Sequence, residues 1–215
     1  MSKARSVPTE IWMETSEMFQ KVHQPFIDIQ KGHLQWVYNI LEKNREKCNE
    51  IDRIIFEDPD PKNGFILLPD LKWDVKDKKN LDILLLVNRR DLNTVRDLKD
   101  SHLDFLQNML AAVPKMINEK FGLPVSFFVI RSFIFLKKII QEKELRLFFH
   151  YPPSHYHLHL HVTSTSVNVG ALTERAILLQ DVIENIKIKS DYYQTRSLPL
   201  SLRQGQKLHS LLTQK

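Results

Sequence analysis

Three histidines alternate with aliphatic residues near the end of the stretch HYPPSHYHLHLHVT, residues 150–163. In an extended chain, successive side chains point to opposite faces. His157, His159 and His161 therefore line one face of a predicted strand, and the aliphatic residues between them point into a core. Because imidazole changes protonation near neutral pH and acts as nucleophile, acid or base, the row predicts chemistry rather than packing.

Two other interpretations of the histidine row stay open. His-x-His on one strand, with a third imidazole, can hold zinc through ring nitrogens. A solvent-facing structural strand would show the same alternation. Neither explains why Pro152, Pro153 and Ser154 lead into the row, a segment that could set a phosphate beside it. His155 has the same parity, so a strand reaching that far would place a fourth imidazole on this face.

The composition is that of a globular protein. Of 215 residues, 42% are hydrophobic and 27% are charged, which is enough chain for a core in one or two domains. The formal charge of +5 makes a polyanionic ligand plausible but gives no site. Cys48 is the single cysteine, which rules out an internal disulfide and suits a reducing compartment. Because residues 1–12 lack the apolar run of a signal peptide, we expect the cytoplasm, with the nucleus as a second location.

Hydrophobic spacing predicts the elements that must position the histidines. Helical spacing predicts a helix from about Gly32 to Lys47, after an irregular or weakly helical lead-in over residues 11–31. Runs typical of strands, bounded by turn residues, occupy residues 53–57, 65–73, 81–87 and 145–149. The continuous apolar run of residues 81–87 is typical of a central strand.

Further helices and one more strand are predicted between and after these runs. Ser101 resembles the start of a capping box with Asp104, and the helix that follows should be kinked or divided by Pro114. An amphipathic helix is predicted from Leu172 to Ile186. The tail should form a short strand over residues 197–202 and a helix from Gln206 to Thr213.

The sequence resembles a known family at several separated points. His-Leu-His-Leu-His-Val-Thr fits the histidine-triad pattern of nucleotide hydrolases and transferases, with Thr163 a weak match at the last apolar position. The stretches LQWVYNILEK, DRIIFEDPDPKNGFILLPDLKW and ERAILLQDVIENI, together with the triad, are similar to scavenger mRNA decapping enzymes. This resemblance runs from Leu34 to the C-terminus apart from one interruption. It implies an α+β histidine-triad fold, with an antiparallel sheet flanked by helices.

The resemblance also implies roles for the histidines and the segment before them. His159 would be the nucleophile, flanked by His157 and His161, and His150 and Ser154 would contact the phosphates. A covalent phosphohistidine divides the displacement into two steps, and surrounding donors balance the charge, so the resemblance implies no cofactor and no metal.

A cap-binding set follows from the same resemblance. Trp36 would stack on the cationic methylated guanine, and Glu50 would bond the guanine edge, with Glu46 as the alternative. In the motif PDLKW, the remaining contacts would come from Pro69 beside the base, Asp70 on the ribose and Lys72 on the triphosphate.

Two positions depart from the family pattern. Asp82 stands where the family usually has a tyrosine near the phosphates, which removes one contact and adds a negative charge. His155 replaces the aromatic residue expected before Tyr156. Arg89 and Arg90 could face phosphate, although a solvated strand end is an equal alternative.

The resemblance divides the chain into two parts. Residues 1–33 would be a remnant of, or lead-in from, an N-terminal domain, and residues 34–215 the catalytic domain. Family members exchange that N-terminal domain between the subunits of a dimer, so a homodimer is expected. The apolar stretch from Val125 to Gln141 does not fit the pattern, and we hypothesise either a retained intron or a true insertion. It is too short and too charged for a membrane span.

Three functions are therefore under consideration. The first is hydrolysis of the 5′–5′ triphosphate of free methylguanosine cap or short capped RNA, releasing methylguanosine monophosphate and a nucleoside diphosphate. The second is hydrolysis of other dinucleoside polyphosphates by a histidine-triad enzyme, which Trp36 and PDLKW disfavour. The third is a weakly active cap-binding module, which the Asp82 departure favours.

Overall fold

Eight antiparallel strands in two sheets form the framework of the described part of the chain. The computed structural model describes residues 7–71, 73–121, 145–168 and 170–213. A six-stranded sheet has the order β2-β3-β4-β6-β5-β7, and β1 pairs with β8 in a separate two-stranded sheet. The strands are β1 Thr9–Glu14, β2 Phe56–Glu57, β3 Phe65–Pro69, β4 Asp82–Val87, β5 Leu145–His150, β6 His159–Ser164, β7 Ala176–Leu178 and β8 Leu198–Arg203.

Helices flank the sheets, which confirms the α+β architecture that the sequence predicted. A π-helical turn, Phe19–His23, separates the first two helices, and a 3₁₀ turn, Lys31–Leu34, leads into the third. The α-helices are α1 Ser16–Met18, α2 Gln24–Gln30, α3 Gln35–Leu41, α4 Leu103–Phe121, α5 Leu179–Ile188, α6 Tyr192–Thr195 and α7 Lys207–Thr213.

The central strands separate a packed face from the histidine face. Leu158, Leu160 and Val162 are almost fully buried in the main core, together with the apolar faces of α4 and α5. The alternation of side chains along β6 then turns the histidines to the opposite face. The predicted inward direction of the aliphatic residues is confirmed.

A second, smaller core lies on the histidine face of the sheet. Val37 and Ile40 of α3 pack there against Ile66, Leu68 and Leu86 of β3 and β4. Because α3 covers only part of this face, the histidines beside it are left at the wall of a cavity. The small core therefore fixes the position of α3 relative to the histidines.

The N-terminal segment is more ordered than predicted. The lead-in predicted as irregular or weakly helical is helical from Ser16 to Gln30, but the strand β1 before it was not predicted, and Phe26 and Ile27 join the main core. Strand β1 gains its hydrogen bonds from β8, at the other end of the described chain, and local spacing does not report such a distant pairing. The division of the chain at residue 33 stays a prediction.

Helix α3 is shorter than the predicted helix from Gly32 to Lys47. It ends at Leu41, and Lys43 adopts a left-handed backbone conformation with φ of 55°. The amide of Asn44 donates to the carbonyl of Asn39, which completes the end of the helix. A left-handed residue stops helical propagation.

The predicted start of α4 is also wrong. A 3₁₀ turn, Asp100–His102, precedes the helix, and Ser101 lies inside that turn instead of capping the helix. The amide of Lys99 donates to Nδ1 of His102 at 3.1 Å, so His102 supplies the local capping contact. Pro114 lies within one continuous helix and does not divide it.

Two further boundaries differ from the predictions. Residues 176–178 form β7 against β5, so the helix predicted from Leu172 begins only at Leu179. The strand predicted over residues 53–57 is reduced to Phe56–Glu57, because Glu50–Arg53 forms a 3₁₀ turn. The strands predicted at 81–87, 145–149 and 197–202 and the terminal helix are confirmed within a residue or two.

The apolar stretch from Val125 to Gln141 lies outside the described residues, so its predicted character is not tested. Within the described part of the chain, no helix combines the length and the apolar character needed to cross a bilayer.

Candidate active site

The three histidines lie just before β6 and in its first half. The strand begins at His159, so His157 precedes it and the strand does not extend to His155. The Nδ1 of His159 lies 2.7 Å from the carbonyl of His157, and Nε2 of His157 lies 2.8 Å from the carbonyl of Val87. A carbonyl only accepts, so both ring nitrogens donate. In neutral His159 the proton is thus on Nδ1, and Nε2 keeps its lone pair.

Burial keeps these imidazoles neutral. The pKa of His159 is lowered to about 4, chiefly by burial; the hydrogen bond to the His157 carbonyl opposes this shift, and the neighbouring histidines add to it. Burial likewise lowers the pKa of His161 to about 2, with added repulsion from His159 and His150. A neutral imidazole with a free Nε2 is the reactive form of a histidine nucleophile.

Neighbouring rings orient His161. Phe148 stacks on it with ring centroids 5.4 Å apart, and the centroid of His150 lies 4.5 Å away. His150 donates from Nε2 to the carbonyl of Gly170 at 2.8 Å. Among the described residues, the buried Nε2 of His161 has no hydrogen-bond partner. This nitrogen is therefore available to a ligand beside His159.

A cavity of about 490 Å³ opens in front of the histidines. Its volume suits a ligand of nucleotide size. The predicted site residues apart from Lys72 all line it, and Lys72 lies outside the described residues. The structure thus brings together one set of residues from four separate parts of the sequence: Trp36, Glu50, Pro69, Asp70, His150, Ser154, His157, His159 and His161.

Part of the cavity wall is suited to a flat ring. The rings of Trp36 and His155 meet edge to face with centroids 4.9 Å apart, and exposed Leu71 also lines the cavity. Glu50 reaches the cavity wall, whereas Glu46 is exposed and does not line it. The geometry therefore favours Glu50 over the alternative Glu46.

The cavity wall also carries a cation that the sequence did not reveal. Arg175 lines the cavity, and its Nη2 donates to the carbonyl of Pro152 at 2.5 Å. The amide of Tyr151 in turn donates to the carbonyl of Arg175 at 2.8 Å. Burial lowers the pKa of Arg175. Its buried Nε has no partner among the described residues and can donate to an anion.

Three other residues considered from the sequence lie away from the cavity. Arg89 pairs with Asp91, and Arg90 pairs with Glu42 and stacks over the ring of Tyr38. Neither arginine lines the cavity. Asp82 pairs with Thr163 in the sheet, next to the pair of Leu84 and His161 on the same face. It does not line the cavity.

The described residues contain no group of three His, Cys, Asp or Glu side chains with the geometry to hold a metal ion.

Comparison with known proteins agrees with this arrangement. A model of the family described as "Scavenger mRNA decapping enzyme C-term binding" matches residues 35–177. The chain is 36% identical over 209 residues to an m7GpppX diphosphatase of Caenorhabditis elegans, covering 97% of this chain and 60% of that protein.

Relatives from two other organisms are also similar to this chain. An m7GpppX diphosphatase of Homo sapiens is 36% identical over 200 residues, covering 93% of this chain and 53% of that protein. The corresponding protein of Schizosaccharomyces pombe is 35% identical over 203 residues, covering 93% and 60%. The chain spans between half and two thirds of the length of these relatives. From the family match, the histidine row and the cavity in front of it, we conclude that this chain belongs to the scavenger mRNA decapping enzyme family and has its histidine-triad fold.

Proposed function

We propose that this chain hydrolyses the 5′–5′ triphosphate of free methylguanosine cap, or of short capped RNA. The products would be methylguanosine monophosphate and a nucleoside diphosphate. The observation that carries the proposal is a neutral His159 with a free Nε2, in a cavity that Trp36 also lines. The name of the relatives, m7GpppX diphosphatase, supports the same reaction.

The reaction proceeds by two displacements at one phosphorus. The Nε2 of His159 attacks the phosphate next to the methylguanosine, and the bond from this phosphorus to the bridging oxygen breaks. The nucleoside diphosphate leaves with that oxygen. Water then attacks the phosphohistidine, the nitrogen–phosphorus bond breaks, and methylguanosine monophosphate leaves. Two such steps replace one more difficult displacement.

The residues around His159 stabilise the charge on the phosphates. Arg175 and Ser154 lie on the loop side of the cavity, and His161 offers its unpartnered Nε2 on the strand side. Donors fixed in a buried site stabilise a developing charge more strongly than water does, because they need not reorganise. The phosphates are thus expected between β6 and the loop of residues 151–156.

The base binds at the opposite end of the cavity. Methylation makes the guanine cationic, and an indole face attracts a cation. Trp36 is half-buried at this end, and Glu50 lies close enough to line the same space. A carboxylate accepts from the ring N–H and amine of guanine and offsets the positive charge. Asp70 also lines the cavity, and its carboxylate would accept from the ribose hydroxyls.

The test is hydrolysis of methylated and unmethylated cap dinucleotides in excess EDTA, with the His159→Asn variant beside the parent chain. We expect release of methylguanosine monophosphate that the variant abolishes and that the unmethylated dinucleotide supports poorly. Equal turnover of both dinucleotides would support a general dinucleoside polyphosphate hydrolase instead. Binding of the methylated cap without turnover would support a cap-binding module.

We further propose that the chain forms a homodimer. Strand β1 is bonded to β8 on one side, and its outward residues Ile11 and Met13 are 62% and 59% exposed. An exposed apolar edge strand favours pairing with another chain. Light scattering after size exclusion would test this, and an Ile11→Lys/Met13→Lys double variant should then have half the parent's molar mass. A monomeric parent would contradict it.

A further inference from the structure

A buried polar cluster lies behind the loop that carries Ser154, on the side away from the cavity. At its centre is Glu14, the last residue of β1, which is fully buried. Its Oε1 lies 2.6 Å from Nδ1 of His23, and its Oε2 accepts from Nε of Arg96 at 3.0 Å and lies 2.8 Å from Nη2 of the same guanidinium. The carboxylate is therefore bonded through both of its oxygens.

Two tyrosines extend this cluster to the loop. The Tyr151 hydroxyl donates to Oε2 of Glu14, and the Tyr156 hydroxyl lies 2.9 Å from Nε2 of His23. Tyr151 and Tyr156 are buried and stand at the two ends of the loop. Between them, Ser154 and His155 are exposed to the cavity. Both ends of the loop are thus hydrogen-bonded to the buried pair of Glu14 and His23.

The electrostatics of the cluster favour a fixed geometry. Burial alone would raise the pKa of Glu14, but the contacts with His23, Tyr151 and Arg96 outweigh it and lower the pKa. The guanidinium of Arg96 also donates to three backbone carbonyls, those of Glu14, Tyr193 and Arg196. Buried ion pairs contribute little net stability relative to apolar packing, whereas their directional bonds restrict the positions of the groups they join.

We propose that Glu14 and His23 are positioning residues for the phosphate end of the site, acting through the hydroxyls of Tyr151 and Tyr156. They hold both ends of the loop and so set the distance of Ser154 from His159. Neither residue lines the cavity. The inference rests on the proposed function, because the loop acts on the phosphates of that substrate. It also gives the N-terminal segment a part in the site.

The test uses two small changes and a matched control. Tyr156→Phe removes one hydroxyl at the loop, and His23→Gln removes the ring that receives it. Tyr193→Phe is the control, because Tyr193 is equally buried and its hydroxyl accepts from Asn185 of α5, away from the cavity. Tyr156→Phe and Tyr193→Phe each lose one buried hydrogen bond, so their costs in folding stability should be similar, whereas His23→Gln also alters the contact with Glu14.

We expect kcat for the methylated cap dinucleotide to fall about tenfold in Tyr156→Phe and in His23→Gln, with KM changed less than twofold, because misplaced catalytic groups cost rate. The double variant should lose no more kcat than the more impaired of the two single variants, because both changes break the contact between His23 and Tyr156. Tyr193→Phe should keep its kcat within twofold. If Tyr156→Phe matched Tyr193→Phe in kcat and KM, the positioning role would be overturned.

A readout without turnover separates this inference from the proposed function. The backbone amide signals of Ser154 and His155 should shift in Tyr156→Phe but not in Tyr193→Phe, and pyrophosphate should bind the former more weakly. If the parent chain bound pyrophosphate but did not hydrolyse cap, these shifts would sustain the positioning role while the proposed function failed. Unchanged amide signals and pyrophosphate affinity in Tyr156→Phe would overturn the inference regardless of turnover.

Discussion

The thiol of Cys48 donates a hydrogen bond to Oε2 of Glu50 over 3.0 Å. Cys48 is buried in the small core beneath α3, whereas Glu50 lines the base end of the cavity. This hydrogen bond is the largest cause of the lowered pKa of Glu50, followed by backbone hydrogen bonding. The cysteine therefore orients the carboxylate and favours its charged form, which the proposed contact with a cationic base needs.

Replacing Cys48 should weaken cap binding without removing the nucleophile. A net contribution of about 1 kcal/mol for the lost hydrogen bond corresponds to an approximately fivefold rise in Kd for Cys48→Ala. Cys48→Ser keeps a donor at this position and should stay closer to the parent chain. Calorimetric titration with methylated cap dinucleotide checks this, and equal Kd values for the Ala and Ser variants would contradict it.

Acid should destabilise the protein through His159. An unfolded histidine has a pKa near 6.5, whereas burial lowers the pKa of folded His159 to about 4. Below about pH 6.5 the unfolded chain therefore binds a proton that the folded chain does not, and the free energy of unfolding falls as the pH falls toward 4. Between pH 7 and 4.5 this linkage amounts to about 2 kcal/mol.

Urea unfolding at these two pH values measures the effect. His159→Asn has no such group and should lose about 2 kcal/mol less than the parent chain between pH 7 and 4.5. The other titrating groups are common to both proteins and cancel in the difference. An identical loss in both proteins would show that folding does not lower the pKa of His159.

Arg175 should bind the triphosphate through its forked guanidinium. Arg175→Lys keeps the charge but cannot keep the contact with the Pro152 carbonyl and also present a second fixed donor. Charge-assisted hydrogen bonds contribute about 1.5–3 kcal/mol, so KM for the cap dinucleotide should rise tenfold or more.

Arg146→Lys is the matched control. Arg146 is a half-buried arginine of β5 that donates to the Val167 carbonyl at 2.9 Å and does not line the cavity. Its replacement should leave KM unchanged. Steady-state kinetics give KM for both variants. Equal KM values for Arg175→Lys and Arg146→Lys would exclude Arg175 as a phosphate ligand.

Gly64 should tolerate no side chain. A Cβ there would lie 2.3 Å from the carbonyl oxygen of Asp58 and 2.4 Å from that of Asp60, both backbone atoms that cannot rotate away. Gly64→Ala is expected to reduce the free energy of unfolding by about 1–3 kcal/mol, as overpacking does. Gly32→Ala has open space around the new Cβ and should change stability little. The urea unfolding midpoints of the two variants test this difference in stability, and equal midpoints would contradict it.

Local pattern was sufficient to predict the strand that carries the nucleophile. The alternation around His159 predicts a strand whose aliphatic residues face the core, and the structure confirms it. Trp36, Glu50 and Asp70, which the resemblance proposed for cap binding, line one cavity with the histidines, and their role in cap binding stays a prediction. These successes depend on information that lies within short stretches of sequence.

The residues that the sequence did not reveal owe their positions to distant pairing. Arg175 reaches the cavity because β7 pairs with β5, although Ala176–Leu178 is apolar enough to suit a helix equally well. Glu14 and His23 belong to a segment whose strand is defined only by β8. Local hydrophobic periodicity does not distinguish a helix from a strand in these segments, since a short apolar run fits both.

The pairing of β1 with β8 also sets an order of events during synthesis. Thr9 lies opposite Arg203 in that pair, so β1 leaves the ribosome long before its partner strand exists. Contacts between such distant segments form slowly, because a long loop must close first. Glu14 can therefore take its place beside Tyr151 only when almost the whole chain is available. We expect the phosphate loop to mature last, after the sheet that holds its histidines.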